Sequence, residues 1–223
     1  MSIMKTILIA FGTLITLVAC NDDAGSSSHG SASGDSSGAA GQQAHKHATG
    51  NSSAGSDKTM MGLMHANMAQ MAALPSSGDP DRDFAGLMRI HHIGAVEMAQ
   101  LELAQGSDTL IRSMARKMLD AQQNEVSLFG RFLAEHQAQG GGDAFYKKAI
   151  GDMDHMKMNM DQSGSIDKQF VEMMIPHHQG GIDMATAYLQ NGARVAGLKR
   201  MANNIIADQA KEIKEMKQWL FKH

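Results

Sequence analysis

The 223-residue sequence predicts an all-α fold, a four-helix bundle made from a duplicated helical hairpin, with short Met-rich helices added. Three observations lead there. Apolar residues recur at steps of three and four through most of the chain beyond residue 58. Alternating β-branched runs and hairpin dipeptides between them are nearly absent. The helical pattern also occurs twice, and two hairpins that each expose one apolar stripe bury those stripes by packing together.

The elements follow from start and stop signals. Met60 to Met71 forms a first Met-rich segment. Asp79-Pro80-Asp81 starts a long helix over about Asp83 to Gln105, and Gly106-Ser107-Asp108 breaks it. A second long helix runs to about Gln137 and ends at Gly140-Gly141-Gly142. A second Met-rich segment spans Ala144 to Met160, followed by a turn at Ser163-Gly164-Ser165. Two more helices cover about Asp167 to Gln190 and Arg194 to Phe221, split by Asn191-Gly192.

The repeat is legible residue by residue. Phe84, Met88, His91, His92, Gly94, Met98, Ala99 and Leu103 recur as Phe170, Met174, His177, His178, Gly180, Met184, Ala185 and Leu189. After a one-residue slip in the loop, Met114, Ala115, Gln122, Glu125 and Leu133 recur as Met201, Ala202, Gln209, Glu212 and Leu220. The identities concentrate on His, Met, Gln and Glu, which marks an internal duplication. The repeat units are about 58–138 and 144–221, within one domain over 58–223.

The N-terminal part reads differently. Residues 1–19 have the form of an export signal: Lys5, an apolar run from Thr6 to Thr16 too short to span a bilayer, and small residues before Cys20. Leu17-Val18-Ala19-Cys20 resembles a bacterial lipobox, which makes Cys20 the lipidation site. Cys20 is the single cysteine of the chain, so the folded part contains no thiolate and a soft-metal site there must use methionine. Residues 20–57 are Ser, Gly, Ala and Asp with scattered His29, His45 and His47, a composition suited to a tether. The expected location is the cell envelope, periplasm-facing, with membrane contact only through the lipid; inner and outer membrane are both open. A net charge of -3 without a basic patch argues against nucleic acid as a partner.

The sequence has 20 methionines but only 3 prolines and 1 tryptophan. On the first motif helix Phe84, Met88, His91, Ala95 and Met98 form one stripe; on the second, Phe170, Met174, His177, Gly181 and Met184. His92 and His178 point about 100 degrees away, toward the neighbouring hairpin or the bundle edge. Each partner helix carries a glutamine in its own apolar stripe, Gln122 or Gln209, with Glu125 or Glu212 a turn onward. These polar groups suit either a hydrogen-bonded core network or support for a metal-ligating imidazole. Thioether sulfur suits Cu(I), and imidazole accepts either copper oxidation state. The candidate ligands are therefore His91, His92, Met88 and Met98, and His177, His178, Met174 and Met184. The Met-rich segments add His65, Met64 and Met68, and His155, Met156 and Met160.

Met174-Ile175-Pro176-His177-His178-Gln179-Gly180-Gly181-Ile182-Asp183-Met184-Ala185, followed by Gln209, Glu212-Ile213 and Trp219, resembles the signature of the bacterial domain-of-unknown-function 305 family. The resemblance runs from about Met60 to Leu220. It implies a ferritin-like helical bundle in the envelope, with copper bound through Met and His in some members and a role in copper resistance. It carries over to His177, His178 and Met184, and to His91, His92 and Met98. The first copy departs from the signature, with Arg89-Ile90 where the second has Ile175-Pro176.

The leading expectation is copper binding, Cu(I) first and Cu(II) second, with silver as a related ion, for buffering, handover to copper-handling envelope proteins, or resistance. A ferritin-like metal-dependent oxidase or oxidoreductase is the enzymatic alternative, weakened because no Glu-x-x-His pair occurs. A non-metal interaction module, its His and Gln purely structural, is the third. Oligomeric state and metal stoichiometry are left open.

Overall fold

The computed structural model describes residues 58–153 and 163–223. The expectations on residues 1–57, Cys20 and the tether histidines included, and on His155, Met156 and Met160 lie outside the described residues. Six helices follow in order: α1 (Met60–Ala73), α2 (Pro80–Gln105), α3 (Thr109–Glu135), α4 (Ala144–Met153), α5 (Ile166–Gln190) and α6 (Ala196–Leu220). The described residues contain no strand. Apart from the expected end at Met160, which lies outside the described residues, the expected boundaries hold to within a few residues, and α2 begins earlier, because Pro80 occupies the first turn, where its missing N–H costs nothing.

The duplication is visible in the packing. α2 and α5 face each other at the centre, α3 packs on α2, and α6 packs on α5. The short helices take matched places: α1 lies on α2 and α5, and α4 lies on α5 and α2. Gly94 is one reason α1 can approach so closely. A Cβ there would fall 2.3 Å from the Asn67 side chain, whose Nδ2 donates to the Ile90 carbonyl.

Two apolar clusters fill the bundle. One is aromatic: Phe84 stacks on Tyr188 at 4.0 Å and meets Phe129 and Phe145 edge-on at 5.8 and 6.1 Å. Such pairs contribute about 0.5–1.5 kcal/mol each beyond their buried area. The other cluster is methionine-rich and gathers Met60, Met61 and Met64 of α1 with Met98, Met114, Met118, Met173, Met174 and Met216. The unbranched thioether fills irregular space between helices from both halves.

Four of the helices start on a local side-chain cap. Thr59, Asp79, Asp108 and Ser165 accept from first-turn amides of α1, α2, α3 and α5. α6 starts at Val195 with no side-chain cap of its own. Asp81, from the other hairpin, takes that role, accepting from the Arg194 and Val195 amides at 3.0 and 3.2 Å. The repeat position of Asp81 is Asp167, and it does the same in reverse, accepting from the Ser107 and Asp108 amides at 2.9 and 2.8 Å. Each hairpin thus fastens the turn of the other.

The Asp81 end is the more heavily tied. Asp81 also accepts from the Tyr188 hydroxyl and from Arg194 Nε at 3.2 Å, while Arg194 Nη2 reaches Asp79 at 2.9 Å. Gly141, at φ 123, brings the chain across this knot: a Cβ there would lie 3.1 Å from Pro80 Cδ, and φ is in the region that favours glycine. Burial works to raise the Asp81 pKa, but the Tyr188 hydroxyl, the two amides and the guanidinium outweigh it and hold the carboxyl below its ordinary value. A lowered carboxyl contributes stability above the ordinary aspartate pKa of about 3.9 and loses it as pH falls below that. Asp81→Ala orphans the buried Tyr188 hydroxyl and strips the part-buried Arg194 and Val195 amides of their acceptor, and is expected to cost about 3 kcal/mol in urea unfolding at pH 7. A loss below about 1 kcal/mol would contradict this role.

Candidate metal centre

The four motif histidines meet where α2 and α5 cross. His91 and His177 stack with ring centroids 3.8 Å apart and planes inclined by 27°. Both are buried, as are His92 and His178. His91 Nε2 donates to the His177 carbonyl oxygen at 2.9 Å. His177 faces the His91 backbone in return, but neither of its ring nitrogens reaches hydrogen-bond geometry.

The outer pair is held by carboxylates. His92 Nε2 donates to Glu125 Oε2 at 2.7 Å, and His178 Nε2 to Glu212 Oε2 at 2.8 Å. The sequence-based expectation sent these rings to the neighbouring hairpin or the bundle edge; the structure turns each toward the partner helix of its own hairpin. The helical offset was read correctly, but α3 and α6 lie where that offset points. A carboxylate can only accept here, so in the neutral ring the proton sits on Nε2 and Nδ1 keeps its lone pair. The Nδ1 atoms of His91, His92 and His178 are all buried without a partner.

Gln122 and Gln209 are buried as expected, but their Oε1 atoms also lack partners. They make no hydrogen bond to the histidines. Gln209 instead presses against α5, where a Cβ on Gly181 would fall 2.4 Å from its Oε1 and 3.0 Å from His91 Cε1. The first copy has Ala95 at this place, so His177 and Gln122 cannot mirror that approach.

The methionines divide by cluster. Met98 and Met174 belong to the methionine-rich one, and Met88 and Met184 to the aromatic one. Thioethers from both helices therefore lie on either side of the imidazole stack. In α1, Met64 is buried, Met68 half-buried and His65 exposed, so His65 faces away from the centre.

Among the described residues one group of His and carboxylate ligand atoms comes together closely, Asp79, Asp81 and His136, within 4.8 Å of one another. Arg194 already occupies it. Sequence reasoning took Asp79 and Asp81 only as a helix start. Extending the repeat three residues before Phe84 would have paired Asp81 with Asp167.

Burial holds the His91 imidazole down to about 3, helped by repulsion from His92 and His178. Burial also holds His177 well below its ordinary value, with repulsion from His91, His178 and His92 adding to it. A neutral nitrogen with a free lone pair is what a metal ion requires.

The fold and site define a class: a duplicated helical bundle with a buried cluster of four histidines where its two central helices meet and methionines before and after them on the same helices. The chain belongs to the family described as a domain of unknown function (DUF305), which matches it twice, over residues 28–133 and 133–220. No curated protein matches it. Among solved structures, a putative secreted DUF305 protein from Streptomyces coelicolor shares the fold, at 22% identity and a TM-score of 0.54, covering 66% of this chain and 95% of its own. CopM is similar at 26% identity and a TM-score of 0.49, covering 64% of this chain; its silver-bound and Cu(I)-bound structures are covered over 95% and 96% of their length.

Because the depressed histidine pKa values belong to bases, their contribution to stability is complete above the ordinary histidine value of about 6.5. It is lost as pH falls from there toward 3. Ring-nitrogen NMR at pH 5 is expected to show His91 and His177 neutral; protonated rings at that pH would refute their sealed burial.

Proposed function

We propose that this protein binds a soft metal ion, Cu(I) or Ag(I), inside the bundle through histidine nitrogen and methionine sulfur. One observation carries the reading. Two buried histidines in repeat-related places each have Nε2 fixed by a carboxylate and Nδ1 free. Orienting an imidazole through its far nitrogen is the usual support for a ligating histidine, and it raises the basicity of the donor atom. Left without such a purpose, each orphaned buried nitrogen would cost about 1–3 kcal/mol.

The residues that would hold the ion are His92 and His178, His177 with both nitrogens free, and the thioethers of Met88, Met98, Met174 and Met184. His91 keeps one nitrogen in the α2–α5 contact and one free. Glu125 and Glu212 orient the rings and are themselves only part-exposed. A neutral nitrogen and sulfur set favours Cu(I) and Ag(I) over oxygen-seeking ions, and imidazole leaves Cu(II) accessible. CopM, solved with silver, Cu(I) and Cu(II), indicates the ions to test first.

In this reading the chain is an envelope lipoprotein attached through Cys20, facing the periplasm, that buffers copper, hands it on or confers resistance. The support is the lipobox-like run and the tether-like composition before residue 58. Among the described residues no helix is long and apolar enough to cross a membrane. Binding is favoured over catalysis because only two glutamates, Glu125 and Glu212, reach the histidines and the sequence has no Glu-x-x-His pair of a di-iron centre.

Anaerobic competition with a chromophoric Cu(I) chelator tests the assignment. Glu125→Gln and Glu212→Gln are each expected to weaken binding about 10- to 100-fold. A fourfold His→Asn variant at 91, 92, 177 and 178, shown folded by circular dichroism, is expected to lose stoichiometry. Unchanged stoichiometry and affinity in that variant would refute the proposal.

A further inference from the structure

The two cross-hairpin caps are repeat-related, yet they are not completed by the same chemistry. Around Asp81 the chain supplies the Arg194 and Val195 amides, the Arg194 guanidinium and the Tyr188 hydroxyl. Around Asp167 it supplies the Ser107 and Asp108 amides and the Ser107 hydroxyl, the last at 3.2 Å. Ser107 stands at the repeat position of Arg194, so the cation is missing. At the repeat position of Tyr188 stands Glu102.

Glu102 is fully buried, and neither of its oxygens finds a donor. Its carboxyl folds back over the end of α2: a Cβ on Gly106 would lie 2.0 Å from Glu102 Oε1. The group it meets at hydrogen-bond range is the Asp167 carboxylate. Two carboxylates in a buried contact cannot both be ionised without large repulsion. A hydrogen bond between them requires a proton.

We propose that Glu102 is a carboxylic acid in the native protein, donating its proton to Asp167 as Tyr188 donates its hydroxyl proton to Asp81, so that one of the two hairpin fastenings releases on alkalinisation. The surroundings favour it. The other charged groups facing Glu102 are Asp108, which adds repulsion, and Arg112 of α3, which opposes it. Arg112 is directed to the Gly106 and Leu103 carbonyls at 3.4 and 3.3 Å. Lys168, Glu172 and His223 line the same cleft beyond Asp108 and Asp167. Burial, then the Asp167 contact, pushes the Glu102 pKa up to about 8. A raised acid contributes fully below its ordinary value of about 4.3 and loses that contribution as pH rises through about 8. Tyr188 is also raised, well clear of this range, so the Asp81 fastening does not titrate with it.

Carboxyl carbon NMR of the protein reads the proton directly, with Glu102→Gln identifying the resonance. A midpoint near 8 is expected; one near 4 would overturn the proposal. Thermal unfolding between pH 6.5 and 9 gives a second reading. The melting temperature of the wild type is expected to fall by roughly 3–6 °C from this group. Glu102→Gln, whose amide donates to Asp167 at any pH, is expected to flatten that fall, and an equal fall in the variant would count against the idea. If a chelator of divalent cations at pH 6.5 lowered the melting temperature of the wild type as far as alkalinisation does, the carboxylate pair would hold a cation there and the proton assignment would be wrong.

Discussion

The contact between His91 and His177 is the constraint around which the bundle is arranged. Two imidazoles stacked at 3.8 Å in a sealed interior must be neutral, because burial and mutual repulsion both oppose their protonation. Neutrality in turn leaves lone pairs that have to be tied up or left open. His91 ties one nitrogen to the His177 carbonyl. The histidines next to them in sequence each donate a hydrogen bond to a carboxylate from the flanking helix. What remains open is a set of buried ring nitrogens, and holding such a set in place takes stability from elsewhere.

Much of that stability comes from the ends. Asp81 and Asp167 each leave their own hairpin to cap the turn of the other. The caps are reciprocal, so the hairpins cannot slide along each other without stripping part-buried amides of their acceptors. Register at the α2–α5 crossing is therefore set from both ends of the bundle, and the imidazole stack inherits its geometry from carboxylates well removed from it in sequence.

The helices, their order and the duplication were legible because periodicity and repetition are local properties of the sequence. The burial of His91, His177, Gln122 and Gln209 was legible for the same reason, since each sits in an apolar stripe. Partnership was less so. That His92 and His178 turn to Glu125 and Glu212 depends on where α3 and α6 lie around the central helices, and helical phase gives an angle without saying what fills it. The caps were hidden because Asp81 reads as an ordinary first-turn acid; only its repeat mate Asp167 marks it as something more.

Duplication also makes each half a control for the other, and the differences are where the halves have taken separate tasks. Gly181 against Ala95 lets His91 and Gln209 press onto α5 and leaves His177 with both nitrogens free. Arg194 and Tyr188 against Ser107 and Glu102 give one fastening a permanent cation and a phenol, and the other a titratable acid. In both cases the backbone arrangement is common to the two halves and a side chain breaks the symmetry. A fold that began as two equal hairpins can in this way keep one end locked by charge while the other depends on a proton. The same fold ties one buried imidazole into the α2–α5 contact and leaves its stacked partner without a hydrogen bond.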